Sequence, residues 1–275
     1  MPEGDIVWST ARRLHEALAG RRLTVSDFRV PRWATTDLRG REVYEAISRG
    51  KHLLTRLEGD VTVHTHLKME GSWQIRRAAA PPRDHRVRLV LGNAEWLAVG
   101  YLLGVVEVLR TSQEDRAVGH LGPDLLGPDW DPAEAIRRLR ARPEAAIGEA
   151  LLDQTRLAGI GTVYRAEVLF LRGVHPRTPV AEVADLPALV NLAQRLLDAN
   201  KEGFGQVTTG DRRRGREQYV YRRAGRPCRR CGTRVERAAL GPNSYERVVY
   251  WCPACQPAPP SAPGARPRNS SRPLP

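Results

Sequence analysis

The spacing of apolar positions changes along this chain, and each change marks a different kind of element. Val7, Ala11, Leu14 and Leu18 recur at i, i+4, i+7 and i+11, one face of an α-helix. Asp5 stands where a helix N-cap would stand, and Gly20 where the helix would stop. From about residue 21 to 112 the pattern shortens to apolar runs between turns: Leu53–Leu57, Val61–His66, Ser72–Ile75, Val87–Leu91 and Val105–Leu109. These predict strands of an antiparallel sandwich, and Gly92-Asn93 predicts a hairpin turn. After Gly122-Pro123-Asp124 the helical period returns. Helices are expected over Ala133–Arg142, Glu144–Arg156, Val163–Arg172 (stopped by Gly173) and Leu186–Lys201 (capped by Asp185). Residues 233–240 and 245–251 predict a hairpin around Gly241-Pro242-Asn243. From Pro257 onward Pro, Ser, Arg and Ala dominate and cannot pack a core, so disorder is expected over 257–275. The layout is α+β: an N-terminal β-sandwich (1–115) with a leading helix, a helical domain (116–220), a cysteine-bearing hairpin unit (221–256) and a tail.

Composition narrows the partners. The 275 residues carry a net charge of +13, with 41% hydrophobic content, enough for packed cores. An excess of base on this scale points to a polyanion, most often nucleic acid. Only Lys51, Lys68 and Lys201 are lysines; a GC-rich genome accounts for the arginine preference but not for the excess itself. No run approaches the roughly 18 apolar residues of a membrane span, and no basic flank precedes an apolar stretch at the start. A soluble cytoplasmic protein is expected.

Two places carry chemistry. Cys228-x-x-Cys231 and Cys252-x-x-Cys255, separated by 20 residues, have the spacing of a four-cysteine zinc ribbon. Met1-Pro2-Glu3-Gly4 carries the other. Without Met1, Pro2 is a secondary amine beside a carboxylate. Such an amine can attack an aldehyde-type carbon and form an iminium that has no N–H to lose, a persistent electron sink. Just ahead of a helix N-terminus, the dipole disfavours an ammonium and favours an ionised Glu3.

These residues resemble one family. Met1-Pro2-Glu3-Gly4, Arg49-Gly50-Lys51, Leu121-Gly122-Pro123-Asp124, Leu151-Leu152-Asp153-Gln154, Ala158-Gly159-Ile160-Gly161, and Cys228-x-x-Cys231 with Trp251-Cys252-Pro253-x-Cys255-Gln256 occur in that order. The ordered set resembles the formamidopyrimidine-DNA glycosylase/endonuclease VIII family of base-excision repair enzymes, closer to endonuclease VIII. The resemblance implies a helix–two-turn–helix in the second domain and a zinc finger in the third. It implies a bifunctional glycosylase and abasic-site lyase that excises oxidised bases, pyrimidines favoured, with cleavage by β,δ-elimination. Pro2 resembles the Schiff-base nucleophile and Glu3 the acid/base. Lys51 resembles the lysine that meets DNA beside the lesion, and Arg247 the zinc-finger arginine that grips flanking phosphates. Met69 is the candidate wedge into the void left by the base. Gly159 and Gly161 would bring backbone N–H groups to a phosphate at a helix start capped by Thr162. One structural Zn2+ on Cys228, Cys231, Cys252 and Cys255 is expected, with DNA, duplex or single-stranded, as partner, and a monomer working at the nucleoid.

The chain departs from that pattern at two positions: Thr162 stands in place of an Asn, and Ile6 in place of a second Glu. Arg212, Arg213, Arg214 and Arg216 are further candidates for phosphate contact. Two other readings compete. A zinc-ribbon nucleic-acid-binding protein would need the cysteines and the charge but neither Pro2 nor Glu3. A metal-dependent hydrolase would use His64, His66 and Glu70, since His-x-His places both rings on one strand face.

Overall fold

The computed structural model describes residues 2–203, 205–241 and 247–259. Helix α1 (Gly4–Leu18) opens the chain, and its predicted stripe of Val7, Ala11, Leu14 and Leu18 is buried throughout. Asp5 does not cap it. The N-cap position is Glu3, which makes no side-chain cap bond, while Asp5 lies buried in the first turn. Gly20, at φ +70°, ends the run, a left-handed conformation that favours glycine.

Nine strands follow: β1 (Arg21–Arg22), β2 (Val25–Phe28), β3 (Glu42–Arg49), β4 (His52–Leu57), β5 (Val61–His66), β6 (Ser72–Arg77), β7 (Val87–Gly92), β8 (Trp96–Tyr101) and β9 (Val105–Arg110). They form two antiparallel sheets, β1-β3-β4-β5-β9 and β2-β7-β8-β6. The predicted turn at Gly92-Asn93 is present. Asn93 Oδ1 accepts from the N–H of Glu95 and of Trp96, both at 2.9 Å, which closes the β7–β8 hairpin. The core between the sheets takes Leu53 and Leu57 from β4, Leu89 and Leu91 from β7, and the inner face of α1. Each fully buried Leu of this kind contributes about 1.5–3 kcal/mol.

The second half is helical: α2 (Asp115–Val118), α3 (Pro132–Arg140), α4 (Ile147–Ala150), α5 (Thr162–Leu171) and α6 (Leu186–Asn200). Asp185 caps α6 as expected, accepting from the N–H of Ala188 at 2.9 Å. The long helix expected over Glu144–Arg156 is only the four-residue α4. Asp153 breaks it: its carboxylate takes the N–H of Thr155 at 3.0 Å and the Oγ1 of Thr155 at 2.6 Å, a local turn that competes with the helix. Leu139, Ile147, Leu157, Ile160, Tyr164 and Leu189 share the second core. A third core surrounds Phe170, Val220, Val235, Cys228 and Cys252, under the hairpin of β10 (Glu236–Leu240) and β11 (Arg247–Trp251). The hairpin tip and residues 260–275 of the tail lie outside the described residues.

The two halves meet where Leu54 of β4 packs on Val118, Leu121 and Ala158. That contact brings the turn between β3 and β4, Gly50-Lys51, against the loop that leads into α5.

Candidate active site

Glu3 is fully buried, and its partners come from the other half of the chain. Its Oε2 accepts from the N–H of Gly161 at 2.8 Å and its Oε1 from that of Val163 at 2.7 Å. The N–H of Tyr164 approaches Oε2 at 3.4 Å. The first N–H groups of α5 have no partner within the helix, so Glu3 caps α5 from 158 residues away. The expected cap, Thr162, is instead the first residue of α5 and is buried there. The backbone follows the same path: Gly4 N–H donates to Gly159 O at 2.8 Å.

Two effects compete on this carboxyl. Burial favours the neutral acid; Lys51 and the N–H of Val163 favour the anion. Burial is the larger, and it pushes Glu3 up to about 7. Glu3 is therefore not the firmly ionised carboxylate expected from its place before α1. It can hold or release a proton near neutral pH.

Lys51 Nζ donates to Ile160 O, so the lysine of the Arg49-Gly50-Lys51 turn lies on the same loop as the partners of Glu3. Asp124 fixes that turn. Its Oδ2 accepts from Gly50 N–H at 2.7 Å and its Oδ1 from Leu126 N–H at 3.1 Å. Gln154 fixes the loop, with Nε2 donating to Ile160 O at 3.1 Å and Oε1 accepting from Gly159 N–H at 3.1 Å. Neither role was foreseen, although both residues sit in the motifs Leu121–Asp124 and Leu151–Gln154; only the fold shows what they hold.

The two loop glycines serve different ends. Gly159 has φ +101°, as expected of a left-handed turn. Gly161 has φ −134°, open to any residue, but a Cβ there would lie 2.5 Å from the Glu3 carboxyl carbon. It is glycine to admit Glu3. The N–H groups of both glycines are turned inward, to Gln154 and Glu3, rather than presented to a phosphate.

Asp5, one turn along α1, accepts from the Tyr164 hydroxyl at 2.6 Å and from Gln206 Nε2 at 3.3 Å. Burial raises its pKa. It forms one wall of a cleft of about 730 Å³ lined by Ile6, Trp8, Arg12, Asn200 and Lys201. Pro2 is half-buried at the start of this arrangement, and Met1 lies outside the described residues.

Met69 is 66% exposed in the turn after β5, so it serves no core. Arg247 pairs with Leu240 at the hairpin tip; its side chain lies outside the described residues. Of the arginine cluster, Arg213 is tied to Asp211 at 2.7 Å. Among the described residues, Cys228, Cys231, Cys252 and Cys255 form the one group placed to hold a metal, their sulfurs all within 4.8 Å of one another. Cys231 lies 3.4 Å from Cys252 and 3.5 Å from Cys255, Sγ to Sγ. Tetrahedral zinc at about 2.3 Å from each sulfur needs S–S spacings near ~3.8 Å, so the cluster fits. The hydrolase alternative is not supported. His64 bonds to His52 and Glu107, and Glu70 is exposed.

Helix α5 also reaches the rest of the second half. Arg165, fully buried, donates to Val248 O on β11 at 2.8 Å. Glu167 accepts from the N–H of Tyr219, Val220 and Tyr221 at 2.7–2.9 Å.

The sequence matches the formamidopyrimidine-DNA glycosylase N-terminal domain over residues 1–100 and the formamidopyrimidine-DNA glycosylase H2TH domain over 121–207. A probable endonuclease 8 of Streptomyces coelicolor is 58% identical over 272 residues, 97% of this chain and 98% of that protein. The DNA-(apurinic or apyrimidinic site) lyase Nei2 of Mycolicibacterium smegmatis is 48% identical, over 94% of this chain and 100% of that one. The Lactococcus lactis formamidopyrimidine-DNA glycosylase, solved in a complex with DNA containing an oxidised pyrimidine, superposes with a TM-score of 0.78. It is 25% identical, covering 94% of this chain and 100% of that one. With both domain matches and relatives at this identity along nearly the whole chain, the protein belongs to the formamidopyrimidine-DNA glycosylase/endonuclease VIII family of DNA glycosylases and abasic-site lyases, on the endonuclease VIII side.

Proposed function

We propose that this protein excises oxidised bases, pyrimidines foremost, and cuts the strand at the abasic site by β,δ-elimination, with the Pro2 amine as nucleophile once Met1 is removed. The observation that carries the reading is Glu3. A buried carboxyl next to Pro2, balanced near pH 7 and held by α5, is the proton carrier that base departure needs. The damaged nucleotide leaves the stack, because C1′ is out of reach inside the duplex. Pro2 nitrogen bonds to C1′, and the glycosidic electrons depart with the base, which takes a proton from Glu3. Glu3, now a carboxylate, takes the Pro2 N–H proton and passes it to O4′ as the C1′–O4′ bond opens to the iminium. The iminium acidifies C2′–H. Loss of that proton expels the 3′ phosphate, and a second elimination releases the 5′ phosphate.

Lys51 stands beside the strand at the lesion, Met69 fills the void, and Thr162 and Arg247 take flanking phosphates. The cleft beside Asp5, with Ile6 in place of a second carboxylate, offers room for the everted base. The pyrimidine preference is supported by the endonuclease 8 relatives and by the short stretch from Val207 to Cys228. Cys228, Cys231, Cys252 and Cys255 would hold one Zn2+, which with four thiolates organises the hairpin and leaves no position for a reacting water.

The test is covalent capture. Borohydride should trap the protein on a duplex carrying an abasic site, with the adduct on residue 2. An extra N-terminal residue converts the amine to an amide and should abolish trapping. Trapping that survives the blocked amine moves the nucleophile elsewhere; no strand cleavage at all leaves a zinc-ribbon DNA-binding protein.

A further inference from the structure

Four histidines gather beside Lys51 without a part in the chemistry above. His52 opens β4, His64 and His66 lie on β5, and His120 follows α2. The His52 ring stacks on His64 with centroids 5.1 Å apart and meets His66 edge-on at 4.8 Å; His120 stands at 6.2 Å. His64 is enclosed, its side chain 4% exposed, and it is bonded at both nitrogens. Its Nε2 is 2.8 Å from His52 Nδ1, and its Nδ1 is 3.1 Å from Glu107 Oε2. The Glu107 side chain is 42% exposed, so a hydrogen-bonded string runs from solvent through a buried ring to His52.

The donors can be assigned from this geometry. An ionised Glu107 only accepts, so His64 carries its proton on Nδ1 and accepts at Nε2. His52 then donates from Nδ1. Neutral His52 is left with a bare Nε2, a nitrogen that can accept but not donate.

The groups facing His52 are His64 and His66 from β5, Lys68 from the turn after it, and His120 from beyond α2. Each opposes a positive charge on His52, as burial does, and together they hold it down to about 3. His66 is held near 4 by burial, Lys68, His64 and Lys51. Arg49 stands opposite His52 in register, but its guanidinium is paired with Asp129 at 2.7 Å. Half-exposed His52, His66 and Lys51 and exposed Lys68 thus gather basic groups, and the groups acting most strongly on His52 add no negative charge. A phosphodiester oxygen supplies that charge and asks for a donor. His52 can be that donor only by gaining a proton.

We propose that His52 contacts a phosphodiester of the bound strand as an imidazolium, with His64 and Glu107 as positioning residues that aim the ring and balance its new charge, so that DNA binding takes up a proton. This rests on the DNA-repair reading. No electron moves; the proton comes from solvent and sits on Nε2 of His52.

The direct test is nitrogen NMR of histidine-labelled protein at pH 7, free and bound to a duplex with a tetrahydrofuran abasic analogue. The free protein should show His52 with Nε2 unprotonated, and the complex should show both nitrogens protonated. His52→Gln identifies the signal and supplies a second measurement. Between pH 5.5 and 7.5 the wild-type affinity should fall more steeply than that of His52→Gln, by about tenfold per pH unit, one proton. Glu107→Gln keeps every ring and should give up the proton at lower pH in the complex. His52 remaining neutral in the complex, or equal pH slopes for wild type and His52→Gln, would overturn the proposal. If His52→Gln does not fold, the wild-type spectrum and Glu107→Gln decide. Borohydride trapping of the wild-type protein separates the two readings: trapping without proton uptake removes only the role of His52.

Discussion

Replacing Glu3 by Gln should remove the loss of stability on the alkaline side while removing base excision. In the unfolded chain this carboxyl titrates at 4.5, and in the fold at about 7. The folded value is the higher one, so the native state binds the proton more tightly. Its contribution to stability is complete below about 4.5 and is lost as pH rises through about 7. The full difference corresponds to about 3 kcal/mol, most of which falls between pH 5 and 8.5. Gln cannot ionise, but its amide nitrogen cannot accept an N–H as the hydroxyl oxygen of the acid can, a fixed cost at every pH. Urea unfolding of both proteins at pH 5 and pH 8.5 reads the effect. From pH 5 to pH 8.5 the wild type should lose stability relative to the variant by a margin approaching that figure. Parallel stability-versus-pH curves would refute the reasoning. So would a wild type that gains on the variant with rising pH, because then Lys51 and the N–H groups of α5 outweigh burial and the carboxylate is the preferred form.

Gly161→Ala should cost about 1–3 kcal/mol, because its methyl group meets a Glu3 side chain pinned by the N–H groups of α5. The cost should shrink in a Glu3→Ala background; strict additivity in the double-mutant cycle would refute the contact. Chelation or Cys252→Ser should unfold the hairpin and abolish DNA binding, since binding energy for the metal is folding energy there; elemental analysis of active protein finding no zinc would refute this. Arg247→Ala should weaken binding to lesion DNA at nearly constant thermal stability and lower the salt slope by about one. Unchanged affinity and slope would make Arg247 a surface charge only.

What could be read from residues alone was whatever depends on local spacing. The α1 stripe, the strand runs, the Gly92-Asn93 turn and the two Cys-x-x-Cys pairs each report on neighbours within a few positions. Errors arose where a residue answers to a distant partner. Asp5 has the local form of a cap, yet Tyr164 claims its carboxylate. Thr162 could cap α5, yet Glu3 already does so across 160 residues. Residues 144–156 are the exception: their helical composition is overridden locally, by the bond of Asp153 to Thr155 two positions on. Gly161, expected to bring its N–H to a phosphate, is glycine because Glu3 needs the space. The acidity of Glu3 was the least legible feature, since its place before α1 and the N–H groups of α5 favour the anion while its burial favours the acid.

The distance along the chain between Glu3 and its donors has a consequence for how the enzyme comes into being. A ribosome adding roughly 5–20 residues each second needs roughly 8–30 s to travel from Glu3 to Gly161. Through that interval Glu3 has none of the N–H partners of Gly161, Val163 and Tyr164 that fix it. It acquires its place only when α5 docks, and α5 is the helix whose Arg165 and Glu167 hold the hairpin strand and the 219–221 segment. The fixing of Glu3 and the joining of the hairpin to the rest of the chain are thereby acquired in one step, and a chain cut before Gly161 has neither.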